Sequence, residues 1–236
     1  MNVPDLEPVA AAAPSAPASA SRWDPRIVLP RLPGLIAGLL MIGVGVGLMA
    51  RSGLGVGSWE VLHQGIARQL GIQMGTVSIG LGIPILACWW PLGERPGAGT
   101  ILNLGLIGIA VNATLGVVPA VMATGPQAAL SAAGIVLCGV GTALYLAADL
   151  GPGPRDGLMT GLHLRFGWSI RRTRTAIELA VVVVGFLAGG TVGVGTVVMA
   201  TTTGPMVQAL LLVFDRDGRL SARRRAALAA RGVLAE

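Results

Sequence analysis

The chain has no lysine, so all 17 of its basic residues are arginine, and it carries only two histidines and two cysteines. Without a lysine to follow a glycine-rich turn, a phosphate-loop nucleotide site is excluded. Two cysteines and two histidines in no ligand-spaced cluster support neither a disulfide framework nor a metal site. Charged residues make up only 12% of the chain, far fewer than an ordinary water-soluble domain carries. Residues 1–32 are rich in alanine and proline and include Asp5 and Glu7. They therefore lack the basic n-region and apolar core of a cleavable signal peptide, and read as a disordered cytoplasmic tail. No nucleophile–base pair, metal cluster or cofactor fingerprint is legible, so the expectation is of a chain that is not an enzyme and needs no cofactor.

What is abundant is apolar: 53% of residues, with a mean hydropathy of +0.73. Runs long enough to cross a hydrocarbon core of about 30 Å at a helical rise of 1.5 Å per residue occupy roughly 33–50, 73–92, 99–121, 127–148, 171–190 and 194–214. With six spans and a cytoplasmic N-terminus, only Arg51 and Arg68 face outward, and the other arginines flank the cytoplasmic ends. That is the asymmetry expected of short loops in a bacterial plasma membrane, with both termini inside. Trp89, Trp90 and Trp168 then mark the inner interface and Trp59 the outer one. The arginine-rich tail from residue 216 onward reads as a surface segment attracted to anionic lipid at the cytoplasmic face, rather than as a nucleic-acid site. Cys88 and Cys138 fall within spans, where a thiol packs as a small apolar group.

The chain also repeats itself. An offset of 96 residues lays "LGVGSWEVLHQG" (54–65) on "LGPGPRDGLMTG" (150–161) without a gap, and eleven glycine pairs coincide between 34–120 and 130–216. Composition alone predicts about three such coincidences, so a duplicated unit is the better account. Three spans per unit is an odd number, so the second copy enters the membrane inverted. The expected fold is thus an all-α polytopic membrane protein of two inverted three-helix repeats, 33–122 and 127–215. Each repeat adds a short amphipathic or re-entrant half-helix near 57–70 or 153–166, too short and too polar to cross. The two half-helices approach from opposite faces.

The residues "LGVGSWEVLHQG", "GWSIRRTRTAIEL" and the paired "GAGT" and "GVGT" resemble the YczE/YyaS/YitT group of bacterial integral membrane proteins over roughly 35–215, most of all its YczE-like branch. The resemblance implies a small inner-membrane protein with no established biochemical activity, often suspected of transport. It supplies no catalytic residues.

Candidate residues for binding a small solute or cation fall into four sets. Glu60, His63 and Gln64 share one face of the first half-helix, and Asp156, Thr160 and His163 form the polar stripe of the second. Glu60 aligns with Asp156; the pair either complements two helix dipoles or marks opposite mouths of one pathway. Asn103 and Asn112 in the third span, with Thr201, Thr202, Thr203 and Gln208 in the sixth, are midplane ligands or interhelical hydrogen bonds; Asn112 aligns with Gln208. Glu178, an acid inside the fifth span, is a functional candidate, or a structural partner of Arg174 four residues earlier. The glycines opening the third and sixth spans (97–100 and 193–196) read as close-packing positions. Together these features suggest a secondary transporter for a small solute, and less readily a non-transporting scaffold.

Overall fold

The computed structural model describes residues 23–215; the expected arginine-rich tail lies outside the described residues. It is helical throughout, with no strand among the described residues. Helix α1 (Pro25–Ser52) is followed by α2 (Ser58–Leu70), α3 (Met74–Ala87), the single turn α4 (Trp89–Leu92), α5 (Ala98–Val117), α6 (Thr124–Ala148), α7 (Pro154–Phe166), α8 (Ile170–Leu187) and α9 (Val194–Phe214). Five segments are long and apolar enough to cross a membrane: α1, α3 with α4, α5, α6 and α9. The expected span at 171–190 corresponds to α8, which falls short because Arg171, Arg172, Arg174 and Glu178 occupy its first half.

Helix α1 begins eight residues earlier than the boundary drawn at 33. The Asp24 carboxylate accepts a hydrogen bond from Arg26 N at 2.9 Å, and Pro25 supplies a first-turn residue whose φ is already helical. The helix continues through Pro30 and Pro33.

At the centre α1 packs antiparallel against α6 through glycine. A methyl group added at Gly45 would stand 2.6 Å from the Gly134 carbonyl, and one at Gly38 would stand 2.7 Å from the Gly141 carbonyl. Only hydrogen fits between backbones so close. The two contacts exchange under the 96-residue offset, since Gly38 corresponds to Gly134 and Gly141 to Gly45. Ile42 and Cys138, which correspond to each other, also meet: the Cys138 thiol lies 3.7 Å from the Ile42 carbonyl.

The same exchange relates the loops ahead of α2 and α7. Gly195 N donates to the Leu54 carbonyl at 2.8 Å, and Gly99 N to the Leu150 carbonyl at 2.9 Å. Gly55 and Gly151 sit at φ +107° and +123° against the backbones of Gly193 and Gly97, a conformation and a closeness that both call for glycine. At a third pair the small and large partners trade places. Gly185 of α8 lies on the backbone of Val61 and Leu62, whereas at the corresponding site Trp89 lies on Gly157, its indole nitrogen donating to the Pro154 carbonyl at 3.0 Å. Trp89 is therefore 1% exposed, and Trp59 is 8% exposed. Both rings are packed inside the protein rather than turned to its surface. Trp90 and Trp168 are exposed.

The outer surface is apolar: Val117, Leu187, Leu212 and Val213 are all exposed. In α2 the polar residues Glu60, His63 and Gln64 are buried while Leu70 is exposed. Buried polar residues on α2, inside a molecule whose outer surface carries exposed apolar side chains, suit surroundings of lipid rather than water.

Candidate functional site

Helices α2 and α7 have 13 residues each, about 20 Å of helix and too short to span a bilayer. Each starts inside the molecule after a glycine-rich extended loop, with Gly57 and Gly153 as the residues before the first turn. The two starts meet. Arg155 Nη2 donates to Glu60 Oε1 at 2.8 Å, and the Arg155 guanidinium lies 5.1 Å from the centre of the Trp59 ring, a cation–π contact. Trp59 and Arg155 correspond under the 96-residue offset, as Ile42 and Cys138 do. Glu60 is thus paired with the first turn of α7.

Around the ion pair the charges nearly balance. Burial opposes ionisation of Glu60, but Arg155 and His63 outweigh it and hold the carboxyl below its ordinary 4.5. His63 is buried next to Arg155, and burial and that positive charge push its pKa down to about 4, against the pull of Glu60. Asp156 moves the other way: burial raises it, with Glu178 acting in the same sense and Arg174 and Arg155 opposing. Two acids at corresponding positions therefore have opposite tendencies, Glu60 fixed as a carboxylate and Asp156 the readier to take a proton.

Asn103 belongs to this site. A methyl group at Gly153 would lie 3.5 Å from Asn103 Nδ2, 3.4 Å from Tyr145 Oη and 3.3 Å from the Asp156 carboxylate, so three polar groups converge on that glycine. Tyr145 Oη donates to the Gly151 carbonyl at 3.1 Å. Gln64, one turn along α2 from Glu60, accepts from Thr191 N at 2.7 Å and ties α2 to the loop before α9.

The other expected residues make the following contacts. Asn112 Oδ1 accepts from Gly75 N at 2.7 Å and its Nδ2 donates to Thr76 Oγ1 at 3.1 Å, which caps α3. Gln208 is exposed on α9. Thr160 donates to the Asp156 carbonyl at 3.0 Å, and Thr201 and Thr202 to carbonyls of their own helix. His163 Nδ1 faces the Trp168 carbonyl. Thr203 Oγ1 is buried without a hydrogen-bond partner. Glu178 accepts from Arg174 Nε at 2.9 Å, as the four-residue spacing suggests.

Arg155 is the residue that sequence reasoning missed. Its place among the arginines flanking helix ends conceals it, yet a cation in the first turn of a helix opposes the helix dipole, and that anomaly is the available signal.

A family of unknown function, DUF6198, matches residues 29–211. The chain is 42% identical over 182 residues to an uncharacterised protein of Haemophilus influenzae, covering 77% of this chain and 84% of that one. It is 32% identical over 171 residues to the uncharacterised membrane protein YczE of Bacillus subtilis, covering 71% and 79%. It is 24% identical over 183 residues to the uncharacterised protein YyaS of the same organism, covering 76% and 91%. No solved structure matches.

Proposed function

The chain belongs to the DUF6198 family, whose function is unknown, and from that premise we propose that it is a secondary transporter for a small solute, built as two inverted repeats. In this reading α1–α5 and α6–α9 are the two units. Helix α8, 18 residues long and so about 27 Å, is the sixth crossing, with its early arginines reaching back to the cytoplasmic interface. The antiparallel α1–α6 contact and its self-exchanging glycine pairs support inversion, because repeats related by an axis along the membrane normal would run these helices parallel. Helices α2 and α7 then enter from opposite faces, and both termini lie in the cytoplasm of a bacterial plasma membrane.

The observation that carries the proposal is the Glu60–Arg155 pair, with Asp156 beside it, at the junction of two interrupted segments. Buried charge among apolar helices is costly and is retained where an ion or substrate passes. Inverted-repeat transporters hold their sites at such a junction, and rocking of one half against the other exposes it to each side in turn. Asp156, the acid readier to change its charge, is the natural coupling group for a proton or cation.

A thermal-shift screen of the purified chain against metabolites and ions, followed by counterflow of each hit in proteoliposomes, tests this. Counterflow that is lost in Asp156→Asn while the protein still folds is the expected result. Hits that bind without counterflow would favour a scaffold.

A further inference from the structure

At the end of the bundle where α1 terminates, a groove of about 560 Å³ opens between the ends of α1, α2 and α5 and the starts of α3 and α6. Its charged lining is Arg51 and Arg68, joined by the amides of Gln64, Gln73 and Gln127 and an apolar wall that includes Leu115. No carboxylate lines it. Among the described residues neither arginine forms an ion pair. Arg51 Nη2 donates to the Leu115 carbonyl, but Arg51 Nε is buried with no partner. Arg68 is held against the Gly189 carbonyl and Thr191 Oγ1, which fixes the second guanidinium in place.

The corresponding end of the other half is compensated. Arg31 aligns with Gln127, and Asp149 with Gly53; there Arg31 stands 3.9 Å from the Asp149 carboxylate and donates to the Ala148 carbonyl at 3.3 Å. Among the described residues, the groove thus has two arginines and no acid where its counterpart pairs Arg31 with Asp149. Two guanidinium groups lining one groove with no carboxylate among its walls are stabilised by an anion.

We propose that this groove binds a small organic monocarboxylate, its head on Arg51 and Arg68 and its apolar body along the Leu115 wall. The site stands on its own lining and does not depend on transport.

Isothermal titration of the full chain in detergent with benzoate, its neutral isostere benzamide and inorganic phosphate tests it at equilibrium, with no gradient. Benzoate binds, and benzamide binds at least about tenfold more weakly. Arg51→Gln and Arg68→Gln each weaken benzoate by a similar factor. Gln73→Glu, which leaves both arginines and their backbone contacts in place, weakens it as well and guards against misfolding of the arginine variants. Equal binding of benzamide, phosphate binding in place of benzoate, or benzoate binding unchanged in Gln73→Glu and either arginine variant would overturn the site. Because no transport is measured, a chain that fails to carry any solute leaves this result intact.

Discussion

Replacing Glu60 by Gln keeps the size of the side chain and removes one charge from the central pair. Arg155 is left on Trp59 with no carboxylate at 2.8 Å. Removing one member of a fully buried pair costs about 3–5 kcal/mol. Here the Glu60 side chain is 11% exposed and that of Arg155 33%, and the cation–π contact survives, so about 2–3 kcal/mol is expected. Arg155→Gln exposes the opposite imbalance and costs a similar amount. The double variant removes both charges and is less destabilised than the sum, with a coupling of about 1.5 kcal/mol. Unfolding of the four proteins by SDS titration in mixed micelles, followed by circular dichroism, closes the cycle. Additivity within about 0.5 kcal/mol would refute the idea that these residues act as one buried pair.

Other outcomes follow from neighbouring geometry. Gly45→Val drives a side chain into the Gly134 carbonyl and should cost about 3 kcal/mol or more, whereas Gly116→Ala, with open space around it, should be neutral or stabilising; size-exclusion profiles after heating separate the two. Trp89→Phe loses the hydrogen bond to Pro154 and should cost about 1 kcal/mol in the same SDS titration. His63 has its pKa lowered from 6.5 to about 4 in the folded chain. Its contribution is therefore fully present above pH 6.5 and is lost as pH falls toward 4, by up to about 3 kcal/mol. His63→Gln should flatten that part of the stability–pH curve; an unchanged slope would mean that His63 does not titrate as its surroundings dictate.

The 96-residue correspondence of glycines was legible because glycine is the residue that backbone contact cannot replace. Among the coincident glycines, those at 38, 45, 55 and 99 and their partners at 134, 141, 151 and 195 all lie against opposing backbone. The half-helices were legible from length and from the polar stripe Glu60, His63 and Gln64. Where α2 and α7 meet was not legible, because the starts of two short helices 96 residues apart can stop short of each other or touch, and periodicity carries no depth. The contact of Arg155 with Glu60 and Trp59 was not legible either, because a statistical preference for interfaces says nothing of which side chains meet there. Asn112 and Gln208 align in sequence, yet Asn112 is drawn to the uncapped start of α3, a local demand that alignment does not reveal. The start of α1 was misjudged for a related reason: proline content suggested a tail, while Asp24 and Pro25 begin a helix.

Inversion is the claim on which the transport account rests, and sidedness of labelling tests it most directly. Leu70 and Phe166 are exposed residues at the ends of α2 and α7, 96 positions apart. Single cysteines placed there, in a chain with Cys88 and Cys138 replaced, are treated with a membrane-impermeant maleimide in intact cells. The account predicts labelling at 70 from outside and at 166 only after the membrane is permeabilised. Labelling of both positions from the same side would contradict it.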